Sequence, residues 1–181
     1  MNSLAIKDVK VIGETPPPQL IAPMRETSLD TDPKEIRQRF ADDAYVCLPG
    51  FFAKDNVSAV REAVFTRLDE AGEIQGTPSD GIYSGTSQRR ENIADLGEFW
   101  REISEHWSLR RVTHSRALHE LCDVLLEEPS IPQDYLFLRA ANFGRQTLIH
   151  SDSGFFARMT DKVVTVWISF GDIPLHLGPL F

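Results

Sequence analysis

Leu148-Ile149-His150-Ser151-Asp152 is the stretch on which the reading of this chain turns. Side chains of a strand alternate between faces, so in a strand over 146–152 His150 and Asp152 project from the same face, about 7 Å apart along the chain. An imidazole nitrogen and a carboxylate oxygen so placed can meet on one divalent ion. Non-haem Fe(II) sites use two histidines and one carboxylate on one facet of the metal, and leave positions open for a chelating co-substrate and O2. His150 and Asp152 supply two such donors. The same pair at a strand end also occurs as a plain polar surface contact, and the spacing alone does not choose between the two.

The neighbouring segments read as strands too, over 135–140 and 162–170, separated by Gly144 and by the turn from Gly154 to Asp161. In 162–170, Val164, Val166, Ile168 and Phe170 share a core face. Thr165, Trp167 and Ser169 share the other. That mixed face lines a cavity with hydroxyls and one aromatic wall, or is simply solvated. In 135–140, Tyr135, Phe137 and Arg139 share a face. An arginine beside aromatics suits a carboxylate or phosphate, and also fits a surface arginine lying over a ring.

Upstream the pattern is helical. Asp32-Pro33 is a start signal, with Asp as cap and Pro in the first turn, and opens a helix to about Ala41 with Ile36 and Phe40 on one face. Tyr45 to Leu48 reads as a short strand ended by Pro49-Gly50. Asp55 is the expected cap of the next helix, whose Val57, Val60, Val64 and Leu68 form one stripe. Gly72 ends it. Residues 73–90 are rich in Gly, Ser and Thr and read as a long, mobile or lid-like loop. Helices are expected again over 93–107 and 114–128, the second burying Leu118, Leu121, Cys122 and Leu125 before Pro129. Residues 1–30, with Thr15-Pro16-Pro17-Pro18 and Pro23, read as a flexible N-terminal arm in extended, polyproline-like form. Residues 31–181 read as one domain.

The composition fits a globular chain: 181 residues with 41% hydrophobic. A net charge of -8 argues against nucleic acid or an anionic membrane as the main partner, since both select for Lys and Arg. No apolar run approaches the roughly 20 residues that span a bilayer, and the first ten residues lack a signal-peptide core. Cys47 and Cys122 are far apart and form no CxxC. Cys47 in its apolar run reads as a buried structural thiol. A reducing, cytoplasmic setting is the expectation. His106, His114 and His119 read as structural. His114 and His119 are five apart, which on one helix does not give the shared face of an i, i+4 ligand pair. His176, after the last strand, could in principle reach the metal but is not among the candidate ligands.

Two blocks carry a family resemblance. One is Ala44-Tyr45-Val46-Cys47-Leu48-Pro49-Gly50-Phe51-Phe52, with Val57, Val60 and Arg61 in the helix that follows. The other is His150-Ser151-Asp152-Ser153-Gly154-Phe155-Phe156, then Val163 to Ser169, Gly171-Asp172-Ile173-Pro174-Leu175 and Gly178-Pro179-Leu180. Over about Asp32 to Leu180 the chain resembles phytanoyl-CoA dioxygenase family proteins. The resemblance implies an α+β fold: N-terminal helices followed by a double-stranded β-helix, the cupin-like jelly roll. It implies Fe(II) and 2-oxoglutarate as cofactors, allows ascorbate as a reductant, and implies hydroxylation of a small molecule or acyl thioester. By position, His150 and Asp152 match the first two iron ligands, and Trp167 matches an aromatic of the 2-oxoglutarate pocket. Arg139 lies on the strand that leads into the site and is a candidate cofactor contact with no matching family position.

In that family the second iron histidine and the arginine that holds the far carboxylate of 2-oxoglutarate lie downstream of the Gly-Pro-Leu turn. The sequence ends at Phe181, so the expectation is a C-terminally truncated, incomplete jelly roll, inactive as 1–181. The alternative is a non-catalytic remnant or binding protein derived from the oxygenase fold. Substrate identity and oligomeric state are not legible.

Overall fold

Helix α1 (Pro33–Asp43) begins where its cap places it. Asp32 Oδ1 accepts a hydrogen bond from the Lys34 amide at 2.8 Å, and Pro33 occupies the first turn. A first-turn proline loses nothing, because its missing N–H would have had no helical partner. The computed structural model describes residues 14–133, 160 and 162–173. The architecture among these residues is α+β, with six helices and one two-stranded antiparallel sheet. The expected strands 135–140 and 146–152 lie outside the described residues. The expected strand 162–170 forms no ladder among the described residues. A strand exists only against a partner, and its expected neighbours are those other two.

Helix α2 (Lys54–Glu70) is the central element. Asp55 is not its cap: Ala53 is, with no side-chain bond, and Asp55 sits in the first turn. There the carboxylate still meets the positive end of the helix dipole. Val60 on this helix is fully buried, and Val64 and Leu68 pack around it, as the stripe predicts. Gly72 ends the helix in a left-handed conformation (φ +76°). The Glu73 amide then donates back to Leu68 O at 3.0 Å, and the Gly72 amide to Asp69 O at 2.8 Å. A residue with a Cβ is strained at such a position.

Helix α3 (Arg89–Asn92) is a single turn. The helices α4 (Leu96–Glu105) and α5 (Trp107–Thr113) follow. His106 breaks what the sequence predicts as one helix over 93–107. Its extended backbone (ψ 133°) ends α4, and its Nδ1 accepts from the Ser108 amide to start α5. Helix α6 (Arg116–Leu126) is capped by Ser115 and buries Leu118 and Leu125. It packs on α1, where Ile36 is buried and Arg37 pairs with Glu127 at 2.8 Å. The core joins Val60 and Ala71 to Phe99, Ile103, Leu109 and Val112, with Ile168 and Phe170 packed against it.

Residues 73–90 are built rather than irregular. They contain the hairpin β1 (Ile74–Gln75) and β2 (Ile82–Tyr83), paired Ile74 to Tyr83 and Gln75 to Ile82. A 3-10 turn at Pro78–Asp80 forms its tip, closed by a reciprocal box between Thr77 and Asp80. The signal missed in the sequence is Glu73, only 2% exposed. Arg89 reaches it with two bonds of 2.6 Å, and the Ser87 hydroxyl donates to the same carboxylate. The Arg89 guanidinium also lies 4.6 Å over the Trp100 ring. Both ends of the loop are thereby joined.

The chain before α1 is engaged as well. The Arg25 amide donates to the Tyr45 hydroxyl at 2.8 Å, and its guanidinium pairs with Asp43. Thr27, 3% exposed, donates its amide to Cys47 O at 2.7 Å. Cys47 makes a single parallel bridge with Glu26 rather than a strand. Residues 26–27 of the expected arm thus lie against the Tyr45–Leu48 stretch.

Burial pushes the Glu73 carboxyl up, but the bonds from Arg89 and Ser87 and the Arg89 charge outweigh it and hold it below its ordinary value of 4.5. A depressed carboxyl stabilises the fold above the unfolded pKa, and that stability is lost as pH falls through the folded value. Arg89→Met leaves the carboxylate buried and unpaired, at a cost of about 3–5 kcal/mol at pH 7. The deficit relative to the wild type should shrink as the pH falls, because in the variant burial alone pushes the Glu73 carboxyl up and it takes up a proton before the wild-type group does. Urea midpoints of both proteins at pH 7 and at acid pH check this; a deficit independent of pH contradicts it.

Candidate functional site

Of the residues the sequence nominates, His150, Asp152 and Arg139 lie outside the described residues, as does His176. Trp167 is described. It is 53% exposed, on a segment whose neighbours Ile168 and Phe170 point into the core formed by α2, α4 and α5. Val164 is half-buried as well, while Thr165 and Ser169 are exposed. The period-two alternation of the sequence is therefore visible in burial, though no ladder accompanies it among the described residues. Val166 departs from it and is exposed. The mixed face carrying Trp167 is the outer one, and the indole is accessible to a ligand.

Helix α2 fixes the far end of this segment. The Arg61 guanidinium lies 4.4 Å over the Phe65 ring, one turn along. Its Nη1 is 2.7 Å from where a Cβ on Gly171 would stand. A side chain at 171 has no room unless Arg61 moves, so the backbone at Gly171 comes down onto the guanidinium. The segment is held inward at 168 and 170 and at its end by Arg61, with Trp167 between them on the open side.

The histidines among the described residues do not make a metal centre, and no group of three His, Cys, Asp or Glu among those residues could hold an ion. The sequence reading of His114 and His119 assumes one helix, which the structure does not form. His114 ends α5, Ser115 starts α6, and the break brings the two rings to 6.5 Å between centroids. His114 is nevertheless saturated. Arg110 Nη1 lies 2.7 Å from its Nε2. A guanidinium only donates, so Nε2 is an acceptor there. Nδ1 then carries the proton toward Thr113 Oγ1 at 2.9 Å, while that hydroxyl donates to Leu109 O. No lone pair remains for a cation. His106 serves as a helix cap and stands 5.7 Å from Trp107.

A groove of about 430 Å³ opens between α2 and the α4–α5 junction. Its floor includes Val60, Val64 and Ile103, its rim Arg67 and Glu102, and its wall the exposed Trp107. Arg67 is held by Glu70 and Glu102 and lies over Phe99. Ala59, Ala63 and Thr66 also line it, and at 100° per residue these fall on a different face of α2 from Arg61 and Phe65. The groove is thus separate from the Trp167 segment. No helix among the described residues is long and apolar enough to cross a membrane.

No protein-family model, no curated protein and no solved structure matches the chain.

The geometry separates Trp167 from its neighbours. Trp167→Ala should change stability by no more than about 0.5 kcal/mol, as for exposed positions generally. Phe170→Ala, which removes a ring packed against the core cluster, should cost about 2–4 kcal/mol given its partial burial. Chemical denaturation of the two variants checks the contrast, and equal losses contradict the outward placement of Trp167.

Proposed function

We propose that the chain is a protein of the Fe(II)- and 2-oxoglutarate-dependent oxygenase type, with a jelly-roll second half, that hydroxylates a small molecule or acyl thioester in the cytoplasm. The observation that carries this reading is the pairing of His150-x-Asp152 with the block from Val163 to Leu175. The outward position of Trp167, beside core-facing Ile168 and Phe170, supports its role as a wall of the co-substrate pocket.

The donor set fits the metal. An imidazole nitrogen and a carboxylate oxygen are the ligand types of a non-haem iron site. When bound, iron with 2-oxoglutarate supplies the activation of O2 that C–H hydroxylation needs. His150 and Asp152 hold the ion. Trp167 excludes water from one side of the co-substrate. Arg139 offers a cation to a carboxylate, where a bidentate contact is the strong form.

Residues 1–181 bring two of the three donors that this reading requires, so metal binding and turnover are expected to separate. A polypeptide of residues 1–181 should bind Co(II), a probe for the same donors, and His150→Ala or Asp152→Ala should weaken binding by more than about tenfold, the loss that removal of even an outer-shell partner causes. The same polypeptide with Fe(II), O2 and 2-oxoglutarate should release no more succinate than its His150→Ala variant. Metal binding indifferent to both substitutions rules out the site. Succinate release that disappears in His150→Ala shows a third donor within 1–181, with His176→Ala as the next variant.

A further inference from the structure

Arg61 touches two parts of the chain that lie ninety residues apart. On one side, its Nη2 is 2.8 Å from where a Cβ on Gly81 would stand, and the Phe65 ring beneath it crowds the same position. Gly81 ends the 3-10 turn at the tip of the 73–90 loop, with φ +63°. On the other side, Nη1 meets Gly171. Two glycines from distant segments therefore flank one guanidinium, and each lacks the side chain that would push it away. Among the described residues no carboxylate pairs with Arg61, so packing and the Phe65 ring hold it in place.

We infer that Arg61 is a positioning residue that locks the loop tip to the segment carrying Trp167, so that the two behave as one wall of the molecule. The loop is already closed at its base by Glu73 and Arg89. Arg61 supplies the second fixed point, at the tip. A planar, half-buried cation with a ring under it can serve two backbones at once, which a lysine's single ammonium does not do. Displacing the guanidinium from either side frees both segments. A ligand that orders the Trp167 segment orders the hairpin as well. This coupling does not depend on the metal reading.

The experiment is hydrogen exchange on the full chain, read in peptides covering 77–86, 164–171 and α6. Gly171→Ala puts a methyl group 2.7 Å from Nη1 at a backbone position outside the left-handed region, so its direct effect is on Arg61. Exchange should rise severalfold at 77–86 as well as locally, with α6 unchanged. Arg61→Ala should raise exchange in both segments, and adding Gly171→Ala to it should have no further effect at 77–86. Arg61→Lys should fall between wild type and Arg61→Ala. The inference is overturned if Gly171→Ala leaves 77–86 unchanged, or if it acts there equally with and without Arg61. A rise spread evenly over the chain, α6 included, makes Arg61 an ordinary packing residue and overturns it too.

Discussion

The buried Glu73 carboxylate is the constraint from which the arrangement of the helical half follows. An ionised group taken out of water must be paired and hydrogen-bonded or it destabilises the fold by several kcal/mol. Glu73 is placed by the left-handed turn at Gly72, two residues past the end of α2. Its partner Arg89 opens α3, and the stack of Arg89 on Trp100 extends the contact to α4. One interaction thus sets the end of α2, both ends of the 73–90 loop, and the approach of α4. Asn92 adds to it by donating to Ala71 O at 3.1 Å. A loop whose ends meet and whose interior is filled by its own turn is a compact unit, not a free lid.

Where the fold is set by local rules, the sequence shows it. Asp32-Pro33, the stripe on α2 and the stop at Gly72 each depend on residues within a few positions of one another, and each is found where it is expected. The misses have more than one cause, and the first is a distant partner. Nothing near Glu73 announces that it will be buried, because the reason lies at Arg89. The break at His106 is equally hidden. A histidine before Trp and Ser has no helix-stopping reputation, and the break is made by its ring accepting from Ser108. The assumed continuity of the helices then misplaces His114 and His119, which meet only because the chain turns at Ser115.

The candidate site is legible to a different degree. Period-two parity assigns Ile168 and Phe170 to the core and Trp167 to the open side, and burial agrees. Val166 breaks the pattern and is exposed. The proposed ligand pair, His150 and Asp152, rests on type and spacing alone. Arg61 is visible in the sequence only as one residue of the first block that carries the family resemblance. Its role as a junction comes from Gly81 and Gly171, and a glycine's significance is unreadable until one knows what would occupy the space of its missing Cβ.

Helix α2 therefore divides its labour by face, and the division bears on how a site could work here. Val60, Val64 and Leu68 give the helix its anchorage in the core. Ala59, Ala63 and Thr66, small and on another side, leave the groove beside Trp107. Arg61 and Phe65 form a third side, and there the helix meets both the loop tip and the end of the Trp167 segment. A rigid helix with a closed loop against it is the kind of support that holds site-bearing side chains in a fixed geometry. If the metal pair stands on strands next to the 162–173 segment, its distance from the helical half is governed by what anchors that segment: Ile168 and Phe170 in the core, and Gly171 on Arg61. The helical half then contributes to function without supplying a single ligand, by fixing the one wall it can reach.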